Sequence, residues 1–117
     1  MSKALGEFEQ LILLALIRLG DDAYGVRMRR EIEARTGRSI SAGAIYTALE
    51  RMEGRGFVTS YMGDPTPQRG GRRRKYYALE PRGAEALRRS YQAITQMAKG
   101  LAPQLAALET GTGERPD

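Results

Sequence analysis

A chain of 117 residues and 13.0 kDa is one domain's worth of protein, and its 19 Lys and Arg against 14 Asp and Glu leave a net charge of +5. It has no Cys and no His, which excludes disulfides, thiol nucleophiles and thiolate metal sites and removes the commonest general base and metal ligand; neither an enzyme nor a bound cofactor or metal is expected. Val and Ile are scarce beside Ala and Leu, the longest apolar run is Leu11 to Ile17, and the N-terminus lacks a secretory apolar region, so the expectation is a soluble cytoplasmic protein with no large sheet and no membrane span.

The spacing predicts a first helix over 7–19. Phe8, Leu11, Ile12, Ala15, Leu16 and Leu19 share one face, while Leu13, Leu14 and Ile17 make the other side apolar too. Such a helix needs cover on both sides, from a later helix or a second subunit.

A second helix is predicted over 23–36, with Asp22 as its cap, Tyr24, Met28 and Ile32 along one side, and Gly37 at the left-handed stop. Arg27, Arg29 and Arg30 read as a solvated face balanced by Glu31 and Glu33. A third helix follows at once, capped by Ser41 and stopped by Gly54 and Gly56. Its inward stripe is Ile45, Ala48, Leu49 and Met52.

The period then changes from helical to alternating. Phe57 to Met62 and Arg74 to Leu79 read as the arms of a hairpin, with Tyr77 and Leu79 on one face. Between them lies a long Gly- and Pro-rich tip. Residues 63–79 hold Arg69, Arg72, Arg73, Arg74 and Lys75 against Asp64 alone, which is nearly all of the excess charge.

Pro81 suits the first position of a last helix. Ala84, Leu87, Tyr91, Ile94, Ala98, Leu101, Leu105 and Leu108 alternate spacings of three and four, a heptad seam. Gly100 and Pro103 predict a kink or break near 100–103. Residues 110–117 read as a disordered tail.

Helix, helix, helix, hairpin, helix is the plan of a winged helix-turn-helix followed by a long dimerisation helix, mainly α with a small β-hairpin. The expected division is a DNA-binding domain at 1–80, a C-terminal dimerisation helix at 81–109 and the tail at 110–117. The expected contacts to double-stranded DNA are Ser41, Gly43, Tyr46 and Thr47 on the third helix. On the hairpin they are Arg69, Gly70, Gly71, Arg72, Arg73, Arg74 and Lys75, with Arg72 and Arg74 foremost. Several of these have plainer readings: Ser41 as a cap alone, Gly43 as a site of tight helix packing, Tyr46 as a partly buried aromatic. Glu50, on the same outer side, would repel phosphates, and reads as a solvated or Arg-paired carboxylate or as an acceptor for a cytosine amino group. The residues expected at a homodimer interface are Leu14, Ile17, Leu87, Tyr91, Ile94, Ala98, Leu101 and Leu105.

The stretches Gly-Asp-Asp-Ala-Tyr-Gly-Val (20–26), Ser-Ala-Gly-Ala-Ile-Tyr-Thr-Ala-Leu-Glu-Arg-Met-Glu (41–53) and Arg-Gly-Gly-Arg-Arg-Arg-Lys-Tyr-Tyr-Ala-Leu (69–79) resemble the PadR-like family of transcriptional regulators, over roughly residues 5–108. The resemblance implies a dimeric winged-helix repressor of the short subgroup, which dimerises through one C-terminal helix. Two departures stand out. Glu80 occupies a position where members often carry a capping Thr. The chain also has no Trp, the residue that multidrug-binding members stack on flat ligands. The expected function is a sequence-specific repressor binding a pseudo-palindromic operator as a homodimer, with release by a small-molecule effector left open. The competing reading is a winged-helix module that docks a protein without specific operator binding.

Overall fold

The computed structural model describes residues 5–64 and 73–110. Helix α1 spans Glu7–Leu19. The Glu9 carboxylate accepts the Gly6 N–H at 2.9 Å, satisfying one of the free donors at the helix start. Gly20, at φ 56°, ends the helix with its N–H donating to the Leu16 carbonyl. The helix buries Ile12, Leu13, Ala15 and Leu16 and leaves Leu14 and Ile17 in solvent.

The second helix begins later than the sequence suggests. Gly20–Asp22 form a single 3₁₀ turn and α2 runs Gly25–Thr36. Asp22 is therefore not its cap: it pairs with Arg27 at 3.0 Å, and Tyr24 stands at the cap position without a side-chain bond. The reason is a contact distant in sequence. The Tyr77 N–H donates to the Ala23 carbonyl at 2.9 Å and Tyr24 bridges Tyr76, so residues 23–24 are held extended along the hairpin. Gly37 ends α2 in the left-handed region, φ 75°, where glycine has no Cβ to clash.

Helix α3, Ala42–Gly54, starts where Ser41 Oγ accepts the Ala44 N–H at 3.1 Å. Strands β1 (Val58–Met62) and β2 (Lys75–Leu79) pair antiparallel from Val58↔Leu79 to Met62↔Lys75. Helix α4 spans Pro81–Ala98. Its cap residue Glu80 makes no side-chain bond, so the start rests on Pro81 and on the Ala84 N–H, which reaches the Glu80 carbonyl at 3.0 Å.

The seam does not lie on one helix. Gly100, at φ 81°, breaks the chain, and a separate helix α5 occupies Ala102–Thr110. Pro103 falls in the first turn of α5, where its missing N–H removes no helical bond.

One core joins these elements. Ile12, Leu13, Met28, Ile45, Leu49 and Met52 are its largest fully buried side chains, closed below by Phe57, Val58 and Tyr77. Each such apolar side chain contributes about 1.5–3 kcal/mol relative to exposure. Leu87, read from the sequence as an interface residue, is instead 6% exposed inside this core. From Tyr91 onward α4 leaves the domain, and the Cα radius of gyration is 17.3 Å, above the roughly 13 Å of a compact chain near this length.

Candidate nucleic-acid interface

The position of α3 is set by the turn before it. The Ile40 peptide is held on both sides from α2: its N–H donates to Glu33 Oε2 at 2.8 Å, and its carbonyl accepts from Arg29 Nη1 at 3.3 Å. Arg29 and Glu33 are thus not a solvated balance of charges. They clip the turn, and side-chain spacing carries no sign of it because both act on backbone. Glu31 pairs with Arg35, whose hydrogen bond holds its carboxyl below the ordinary carboxylate range.

The inward stripe of α3 is as expected: Ile45, Ala48, Leu49 and Met52 are all buried. Ser41, Gly43, Tyr46 and Thr47 are all exposed. Gly43 has open space where a Cβ would stand, so tight helix packing does not explain it. Tyr46 has both characters. Its ring covers Gly25 so closely that a Cβ there would collide with it, yet the residue keeps 43% of its surface exposed.

At about 3.6 residues per turn, Gly43, Thr47, Glu50 and Gly54 form one line along α3, opposite Met52. Glu50 is exposed and makes no hydrogen bond or ion pair among the described residues. Arg51 turns aside, its Nη1 3.9 Å from Glu9 Oε2, and Arg55 approaches the same oxygen at 3.8 Å.

At the base of the wing, three tyrosines meet. Tyr61 stacks on Tyr76 with centroids 5.6 Å apart, and Tyr24 meets Tyr76 edge-on at 5.5 Å. Arg74 folds over the Tyr24 ring, its guanidinium carbon 4.1 Å from the centroid. Interaction with the neighbouring Tyr76 side chain raises the Arg74 pKa further. Burial raises that of the Tyr77 phenol, and the Glu53 charge adds to it. Arg73 Nε donates to the Gly63 carbonyl at 2.9 Å, and Arg73 and Lys75 are exposed. Arg69, Gly70, Gly71 and Arg72 lie outside the described residues. Of the wing cations expected to meet DNA, Arg73 and Lys75 are exposed, with Lys75 Nζ 5.8 Å from the Tyr77 ring centroid, while Arg74 is half-buried over Tyr24. The tyrosine cluster escapes sequence reading, although the three residues are individually visible there.

Three helices, a paired hairpin and an exposed, glycine-bearing third helix define a winged helix-turn-helix regulator. The model of the transcriptional regulator PadR-like family matches residues 13–89. The chain belongs to that family, whose members regulate transcription rather than catalyse reactions. The fold is similar to that of a transcriptional regulator from Clostridium thermocellum, with 27% identity and a TM-score of 0.64 over 80% of this chain and 87% of that one. A PadR family transcription regulator from Clostridium difficile R20291 matches at 26% identity and a TM-score of 0.65, over 85% and 98%. A PadR-like regulator from Bacillus cereus, at 23% identity and a TM-score of 0.67 over 84% and 90%, shares the fold. No curated protein matches the chain. Among the described residues no helix is long and apolar enough to cross a membrane, and no cluster of acidic residues could hold a metal ion.

Proposed function

We propose that this DNA-binding regulator is a repressor that grips a pseudo-palindromic operator as a homodimer. In this reading α3 lies in the major groove through Ser41, Gly43, Tyr46 and Thr47. The wing follows the flanking backbone through Arg73 and Lys75, together with Arg69, Gly70, Gly71 and Arg72. Arg74 then serves the wing from its base. A bound dimer would block the promoter it covers.

The observation that carries the reading is Gly43. A glycine inside a helix costs roughly 0.5–1 kcal/mol relative to Ala. Among the described residues, nothing apart from its chain neighbours and the backbone of its own helix lies within 4 Å of where its Cβ would be. The smallness is not needed by the chain's own packing, so it is explained by something outside it, and close approach of a groove wall fits.

The homodimer is supported by an apolar surface that the described residues leave exposed. Leu14 and Ile17 on α1, Tyr91, Ile94 and Met97 on α4, and Leu101, Leu105 and Leu108 further on are 42–80% exposed. Ala98 lies on the same seam. Apolar surface on this scale marks an interaction site. We assign α4 beyond Tyr91, with α5, to that role in place of one continuous helix over 81–109. A small-molecule effector that releases the operator would find in Tyr91 an exposed ring to stack on.

The test is a mobility shift with a duplex from the protein's own promoter region, paired with light scattering of Ile94→Asp. A retarded complex at nanomolar dimer and a monomeric variant are expected, because an unpaired charge in an apolar interface costs several kcal/mol. A wild type that is monomeric at micromolar concentration, or that shifts every duplex equally, overturns the proposal.

A further inference from the structure

The line that faces directly away from the core of α3 is Gly43, Thr47, Glu50 and Gly54. It offers two bare glycines, one short hydroxyl and one carboxylate. The cation on the same helix is drawn aside, since Arg51, like Arg55 just beyond the helix, approaches Glu9. Glu50 is exposed and unbonded among the described residues. The face proposed to meet a polyanion therefore carries a single charge near its centre, and that charge is negative.

An anion there is repelled by phosphates on both sides of the groove. Repulsion of this kind is offset only where the carboxylate finds a donor on a base edge. In the major groove cytosine offers one in its N4 amino group; the N6 amino group of adenine lies beside the N7 acceptor, which repels a carboxylate, and thymine and guanine present acceptors there that a carboxylate cannot use. Glu50 stands two helical turns from Gly43. The glycines at positions 43 and 54 add no side chain that would hold the helix away from the base edges.

We infer that Glu50 is a specificity-determining residue: its carboxylate accepts from a cytosine amino group in each operator half-site and penalises the other bases. The inference rests on the proposed operator-binding reading and deepens it. Glu50 is a reader of sequence that weakens binding everywhere else, the opposite of a phosphate-binding cation.

The experiment is selection of binding sites from a randomised duplex library by the wild type, Glu50→Ala and Glu50→Gln. The wild type should enrich an inverted site with cytosine at one symmetric pair of positions. Glu50→Ala should flatten that position alone, losing about tenfold discrimination per half-site. Its affinity for unrelated DNA should rise. Glu50→Gln, which has both a donor and an acceptor, should move the preference toward adenine. Both variants should melt with the wild type, because Glu50 makes no bond to the described residues. If both retain the wild-type base preferences and merely bind all DNA more tightly, Glu50 only repels phosphates and the inference falls while the operator reading stands. A wild type that enriches no sequence overturns both.

Discussion

Arg74 holds its guanidinium carbon 4.1 Å from the centre of the Tyr24 ring, so a wing cation is fastened to the residue that opens the second helix. Its charge strengthens the base of the wing before any DNA arrives. Cation–π contacts contribute about 0.5–2 kcal/mol and edge-on aromatic pairs about 0.5–1.5 kcal/mol. Tyr24→Leu is therefore expected to lower stability by about 1–2 kcal/mol in urea unfolding. DNA affinity should fall as the wing loosens. The dependence of log K on log salt should stay unchanged, because every cation that meets a phosphate is still in place.

The exposed wing cations should behave in the contrary way. Arg73→Gln with Lys75→Gln is expected to leave the unfolding midpoint nearly in place. It should weaken binding evenly across sequences and flatten the salt dependence by roughly 0.9 for each phosphate no longer neutralised. Fluorescence anisotropy titrations over a series of salt concentrations would measure this.

Gly83 is held at a closer approach than any glycine on the reading face. A Cβ there would overlap the Phe57 carbonyl oxygen and come within 3.0 Å of Leu79 Cδ1. Because the clash is with backbone, α4 would have to shift. Gly83→Ala should destabilise the fold by about 1–3 kcal/mol, as overpacking does, despite alanine's better helix propensity. Thermal unfolding checks it.

The clip on Ile40 yields a prediction with a built-in control. Glu33→Ala removes the acceptor for the Ile40 N–H, and an orphaned buried donor costs about 1–3 kcal/mol. Glu33→Gln keeps an acceptor oxygen and should recover most of that loss. Chemical denaturation of the two variants side by side decides it.

Glu85 gives the pH dependence. Arg88 donates to both its oxygens at 2.7 and 2.9 Å, Arg89 donates at 2.9 Å, and these bonds hold its carboxyl below the ordinary range. A folded-state pKa below the unfolded one gives stability that is fully present above the unfolded pKa and lost as pH falls through the folded one. The group is exposed, so salt should shrink the effect. Carbon-detected NMR titration should find Glu85 the more acidic in low salt, drifting back toward the ordinary carboxylate value at high salt.

Much of this architecture is legible in the sequence because its signals are local. The period of α3, its serine cap and the left-handed Gly37 are each written within a few residues. The start of α2 is not, because Ala23 and Tyr24 are held by β2, some fifty positions away. The seat of Arg74 over Tyr24 is hidden for a related reason. A basic run looks the same whether its side chains reach outward or fold back on a tyrosine. The heptad reads as one seam, yet the domain's own core claims Leu87, since α1 packs on the first turns of α4. The outward set on α3 follows from its period, while the clips that aim it, Arg29 and Glu33, bond only to backbone and leave no trace in side-chain patterning.

The break at Gly100 has a consequence for how the end of the chain folds. Helix α5 has nine residues, and its described side chains are all exposed. Isolated helices shorter than about 12–15 residues are marginal in water. With the glycine uncoupling it from α4, α5 cannot borrow cooperativity from the longer helix. In the proposed homodimer its helicity then depends on the partner chain: dilution should unwind it first, leaving the rest intact, and a protease attacking near Leu105 should cut faster as the protein is diluted.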